Sequence, residues 1–150
     1  MTISGRLLKT IAPDKNYSED TFYAGEDLIR EIAALPKKNL APLGEKFFLQ
    51  EAAREKFKLD DRDSFLISIH KFFFNYLKEE GIGMMSTKEF RKGFCRVVEN
   101  LPLPDLFVIG VLRGILQYFH FRGYRIKEER SKEEGSRSSE YLVTWMTSNV

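Results

Sequence analysis

The sequence is poor in the residues that most directly signal chemistry: it holds one cysteine, Cys95, and two histidines, His70 and His120. A lone thiol excludes an intramolecular disulfide and any multi-thiolate zinc or iron–sulfur site, and it suits a reducing compartment. The expected setting is therefore intracellular and cytoplasmic. The phosphate-cradling GxxxxGK[ST], the dinucleotide GxGxxG, the zinc-protease HExxH and the hydrolase GxSxG are all missing. A Cys–His nucleophile needs a base within reach and a group to orient it, and no local signature joins Cys95 to either histidine. Buried, satisfied side chains are the expected state of all three. No enzyme activity and no cofactor are expected.

Long apolar runs are lacking too. The most apolar stretches, 65–77 and 106–121, fall short of the roughly 18–20 residues that span a bilayer, and each carries charge. Residues 1–12 lack the continuous apolar stretch of a signal peptide, so no membrane association is expected. Charge of one sign is scarce as well, with 24 Lys and Arg against 22 Asp and Glu. Affinity for a charged partner must then come from a local patch.

What the chain does contain is core material. Apolar residues make up 43% of it and Phe is the dominant aromatic, with 13 copies against one Trp. Phe supplies buried area without adding polar atoms that need partners. The spacing predicts five helices in one helical domain over 1–150. The first runs from Ser18 or Asp20 to Leu35, and the second starts near Pro42 with Phe48, Leu49, Ala52, Ala53 and Phe57 on its buried side. The third, 65–77, is apolar around its whole circumference and is expected at the centre. Asp60, Asp61 and Asp63 before it are read as favouring its positive end, with a divalent-cation site as the weaker alternative. The fourth, 86–101, opens with Ser86-Thr87-Lys88-Glu89, the pattern of a capping box. The fifth extends from Asp105 to Arg122, with Gly123 as its left-handed cap and Gly110 and Gly114 allowing close helix approach. A loop of the EF-hand type over 78–89 would need oxygen ligands where Lys78 and Ile82 stand, which excludes calcium.

After Gly123 the period changes. Residues 124–127 and 141–145 alternate as strands, and 128–139 is expected to be a flexible hairpin tip. The fold class is thus mainly α, a bundle of about five helices with a C-terminal β-hairpin. The same order of elements fits a winged helix in which the hairpin is the wing.

One surface stands out. On the expected fourth helix, Lys88, Arg91, Lys92 and Arg96 share one side, opposite Phe90, Phe94, Val97, Val98 and Leu101, and Arg122, Arg125 and Lys127 would extend the patch. A solvated face is the bland reading of such a row. The functional reading is a non-catalytic protein-interaction module that meets an acidic protein partner through this helix face. The alternative is a nucleic-acid-binding, winged-helix-like protein that uses backbone contacts. The expected fifth helix offers few polar side chains to base edges, which favours the protein partner.

Gly81-Ile82, the run Lys92-Gly93-Phe94-Cys95-Arg96-Val97, Leu101 and Pro104-Asp105-Leu106 together are similar to the helix-turn-helix signature of MA3 domains. That resemblance implies an all-helical module that binds a DEAD-box translation helicase.

Overall fold

A computed structural model describes residues 1–78 and 85–147. Its N-terminal half is built from short elements. Strand β1 (Thr2–Ser4) leads into helix α1 (Gly5–Ile11), and β2 (Phe22–Ala24) into α2 (Gly25–Ala33). Helices α3 (Leu40–Glu55), α4 (Arg62–Ile67) and α5 (Ile69–Phe74) follow, then the two-residue strand β3 (Leu77–Lys78). These strands form one antiparallel sheet in the order β2-β1-β3.

The C-terminal half is a second antiparallel sheet with a helix against it. Strands β4 (Met85–Arg91) and β5 (Phe94–Glu99) precede helix α6 (Asp105–Tyr118), and β6 (Arg122–Arg130) and β7 (Ser139–Met146) complete the order β4-β5-β7-β6. Along β5 and β7, Cys95, Val97, Tyr141 and Val143 face inward and are fully buried. They join Phe47, Phe48, Phe72, Phe73 and Phe107 from the helices in one continuous apolar core.

Helices α3 and α6 cross at the heart of this core, and two glycines permit the distance. A Cβ on Gly44 would stand 2.1 Å from the Phe107 carbonyl oxygen, and one on Gly110 would stand 2.0 Å from that of Ala41. Any side chain at either position would drive the two backbones apart.

The architecture corrects the mainly α, five-helix expectation: this is a mixed α/β fold with two antiparallel sheets. The decisive difference lies at 86–101, where a helix was expected and a hairpin is found. Lys92 and Gly93 form its two-residue turn, with Gly93 at φ 79, a conformation that glycine adopts without a Cβ penalty. Apolar side chains at 90, 94, 97 and 98 satisfy a helical stripe by coincidence. The strand reading puts Cys95, Val97 and Glu99 inside and Phe94, Arg96 and Val98 on the opposite face. The proposed MA3-like helix-turn-helix falls on the same strands and on residues 81–84 outside the described set, so the resemblance does not hold in the fold.

Three further expectations change. The single central helix is two short ones, because Ser68 leaves helical geometry at φ −108, ψ 31. The stretch 18–35 holds β2 before α2. The expected hairpin is present, with Arg125 opposite Thr144 and Ile126 opposite Val143, but it forms half of the four-stranded sheet and is not a free wing. The all-α and winged-helix descriptions are corrected accordingly.

Candidate functional site

The seven cations singled out from the sequence separate into two groups. Strand register, in place of helical spacing, brings five of them to the outward face of the second sheet. Lys88 lies opposite Arg96, Arg96 opposite Leu142, and Leu142 opposite Lys127. In the adjacent row Arg91 faces Phe94, which pairs across Thr144 with Arg125. The charge there is substantially compensated at its centre. Arg96 lies 3.0 Å from Glu129, 3.4 Å from Glu140 and 3.5 Å from Glu89. The guanidinium of Arg91 sits 4.4 Å above the Phe94 ring.

The other two, Lys92 and Arg122, open onto a groove of about 710 Å³ at the end of the sheet. Two turns, a helix start and a strand end converge there. The β4–β5 turn brings Lys92, the first turn of α4 brings Arg62 and Asp63, and the α6–β6 corner brings His120 and Arg122. Phe90 and Trp145, with ring centroids 5.8 Å apart, form an aromatic wall.

The corner that presents His120 has a definite local cause. Helix α6 ends with the His120 amide donating to the Gln117 carbonyl at 3.2 Å and the Phe121 amide donating to the Leu116 carbonyl at 2.9 Å. This paired arrangement places the residue after the cap in the left-handed region, usually a glycine. Here it is His120, at φ 58, and Gly123 lies beyond the cap. The imidazole is thereby held exposed at the groove. Arg62 is positioned by the Phe121 ring, 4.5 Å from its guanidinium, and by Asp63 at 3.5 Å.

A second polar cluster is closed to ligands. Lys132 Nζ donates to Glu99 at 2.6 Å and to Asp105 at 2.8 Å, Tyr141 donates to Glu99, and Ser139 donates to Asp105. Burial pushes the Glu99 carboxyl above its usual range, while Lys132 and Tyr141 oppose the shift. Burial acts on Asp105 in the same sense, but hydrogen bonds from Lys132, Ser131 and Ser139 hold it below the usual range. Asp105, expected as a helix cap, instead fastens the residues between β6 and β7 to the start of α6. No buried side-chain nitrogen or oxygen among the described residues lacks a partner, so the cluster offers nothing to a substrate.

The candidate nucleophiles and ligands do not assemble. Cys95 is buried on the sheet, where desolvation pushes its thiol up to about 12, leaving it protonated. His70 is only half-buried, with its ring 5.7 Å from that of the exposed Phe74. The two histidines are therefore not the satisfied core side chains expected of them. The described residues include no group of His, Cys, Asp and Glu suited to a metal ion. Asp60 and Asp61 lie in a 3-10 turn and Asp63 in the first turn of α4.

Comparison with solved structures places the fold. The chain is similar to an H-NOX protein from S. oneidensis in the Fe(II)NO ligation state, with a TM-score of 0.73, 16% identity and coverage of 97% of this chain and 100% of that one. It is also similar to an H-NOX domain from Shewanella oneidensis in the Fe(II)CO state, at 0.69 and 18% over 95% of this chain and 86% of that one. A structure described as probing haem distortion in the H-NOX family matches at 0.60 and 13%, over 99% and 87%. The fold is that of the H-NOX proteins. No protein-family model matches the sequence, and no curated protein matches it.

This overturns the functional expectation drawn from a basic helix face. The face belongs to a sheet, and the whole chain follows an architecture other than a helical interaction bundle. The winged-helix alternative fails with it, because Phe107, Val108, Val111, Leu112 and Ile115 of the would-be recognition helix are fully buried. Among the described residues no helix is long and apolar enough to cross a membrane.

Proposed function

We propose that this chain is a non-catalytic sensory module of the H-NOX fold, which passes a binding event on to a protein partner in the cytoplasm and does so without haem in its core. The observation that carries the reading is the likeness to H-NOX structures along nearly the whole chain. Among the described residues no nucleophile, base and orienting group come together, which supports a role in binding over catalysis.

Haem is the group that the fold implies, and the described residues do not fit it. An enclosed porphyrin needs a slot and an axial donor such as a histidine or a thiolate. A porphyrin-sized slot is far wider than a water molecule, so the side chains lining it would have accessible surface even where it is apolar and dry. Phe48, Cys95, Val97, Leu112, Leu116 and Tyr141 are all 0% exposed, and Phe72 and Phe73 only 4% and 3%. The inward positions of α5 are Ile69, Phe72 and Phe73, and its histidine lies toward the exposed Phe74. Cys95 faces inward as a protonated thiol, and the hydroxyls of Tyr76 and Tyr141 already donate to Glu51 and Glu99. Lys132, which could meet a haem carboxylate from the sheet end of the core, is held by Glu99 and Asp105.

The test is titration of the purified protein with haemin, followed by the Soret band and by thermal unfolding. The expected result is no saturable Soret shift and no gain in melting temperature at one equivalent. A stoichiometric band that is lost in His70→Ala or His120→Ala would overturn the haem-independent reading.

A further inference from the structure

We infer that the groove between the β4–β5 turn, the α6–β6 corner and the start of α4 binds a compact phosphate-bearing anion. Some cations of this protein are compensated internally. Arg96 has three carboxylates, Lys132 has two, and Arg6, Arg30 and Arg54 each have one. The groove instead gathers cations from separate segments in one concavity. The side chains of Lys92 and Arg122 face it with no hydrogen bond or ion pair among the described residues, and Asp63, the one carboxylate among the described lining residues, is already beside Arg62. Three cationic side chains from three separate segments therefore converge on one concavity with one carboxylate among the described residues that line it. Like charges gathered in a concave site raise each other's energy and concentrate counter-ions, and an anion relieves the strain.

The donor set names the class. Two guanidinium groups can each engage oxygens in a bidentate fork, Lys92 adds a point charge, and His120 adds a ring nitrogen. That combination suits a phosphate group with several oxygens. The Phe90–Trp145 wall gives a flat apolar surface beside the cations, so the phosphate can arrive on an aromatic carrier or as the free anion. The position of His120 adds an independent reason. Its left-handed backbone favours glycine on conformational grounds, yet the sequence holds an imidazole there and aims it at the groove.

This ligand would be the signal of the sensory module, so its use rests on that reading, whereas binding itself is measured apart from it. Calorimetric titration of the full chain with pyrophosphate and with ADP, at fixed ionic strength, tests the site. The wild type and a control with Lys88→Glu and Lys127→Glu on the outer sheet face are expected to bind. The groove variant Lys92→Glu/Arg122→Glu is expected to lose about tenfold or more in affinity. The milder Arg122→Gln reports on the site should the double variant fold poorly. Tighter binding of ADP than of pyrophosphate identifies an aromatic carrier, and equal binding identifies the phosphate alone; either supports the proposal. No binding of either probe, or equal losses in the control and groove variants, would overturn it. Neither result decides the haem titration, so the site and the sensory reading fail separately.

Discussion

Lys132 and Asp105, 27 residues apart in sequence, meet at 2.8 Å where the loop between β6 and β7 closes over the start of α6. The same ammonium holds Glu99 at 2.6 Å, so one cation stands between two carboxylates that are 0% and 3% exposed. Removal of the cation would leave both acids buried and facing each other. Lys132→Met is expected to destabilise the fold by about 3–5 kcal/mol, measured by urea denaturation at neutral pH. A loss no larger than that of a surface substitution would contradict the arrangement.

The two acids of that cluster predict opposite pH dependences. The Glu99 carboxyl is raised, so the folded state binds its proton more readily, and stability should rise as pH falls from neutral toward about 4.3, the unfolded value. The Asp105 carboxyl is lowered, so the stability it contributes is present above about 3.9 and is lost as pH falls further. The difference in stability between wild type and Glu99→Gln should therefore change across the upper window. Both proteins should share the loss in stronger acid. Parallel curves throughout would show that Glu99 is not raised.

The α3–α6 crossing makes a steric prediction. A methyl group on Gly110 has only 2.0 Å to the Ala41 oxygen, which is backbone and cannot rotate away. Gly110→Ala should cost about 1–3 kcal/mol, although alanine is the better helix former. An unchanged melting temperature would mean that the helices do not approach so closely. Gly114→Ala, where the nearest atom is at 3.1 Å, should be the milder change.

His120 should show a conflict between stability and binding. Replacement by glycine relieves the left-handed backbone at φ 58 and should stabilise the fold by about 1 kcal/mol. The same change removes a ring from the groove and should weaken phosphate binding. A protein that becomes more stable while binding unchanged would leave the imidazole without a role in the site.

Parts of this architecture are legible in the sequence, and the failures have physical causes. Helix α6 is set off by Pro102 and Pro104, and its uninterrupted apolar run matches its burial. The C-terminal hairpin is announced by alternation after Gly123. The hairpin of β4 and β5 was not legible as strands, because phenylalanines at 90 and 94 and valines at 97 and 98 fit both a helical stripe and the faces of two paired strands. Ser86-Thr87-Lys88-Glu89 imitates a capping box, while the Lys92-Gly93 turn was the available counter-signal. Strands β1, β2 and β3 are two or three residues long and too short to show a period. At the groove, Lys92 and Arg122 stand out in the sequence as charges and His120 as one of two histidines, but nothing in the sequence joins them to Arg62 and Trp145. Only the three-dimensional convergence of separate turns brings them together.

The described interior of this H-NOX fold is filled by its own side chains. The decisive measurement is the haem content of the protein purified from cells supplied with a haem precursor, as moles of haem per mole of chain. The expected ratio is near zero, with no Soret band following the protein through size exclusion. A ratio near one, retained through that step, would contradict it.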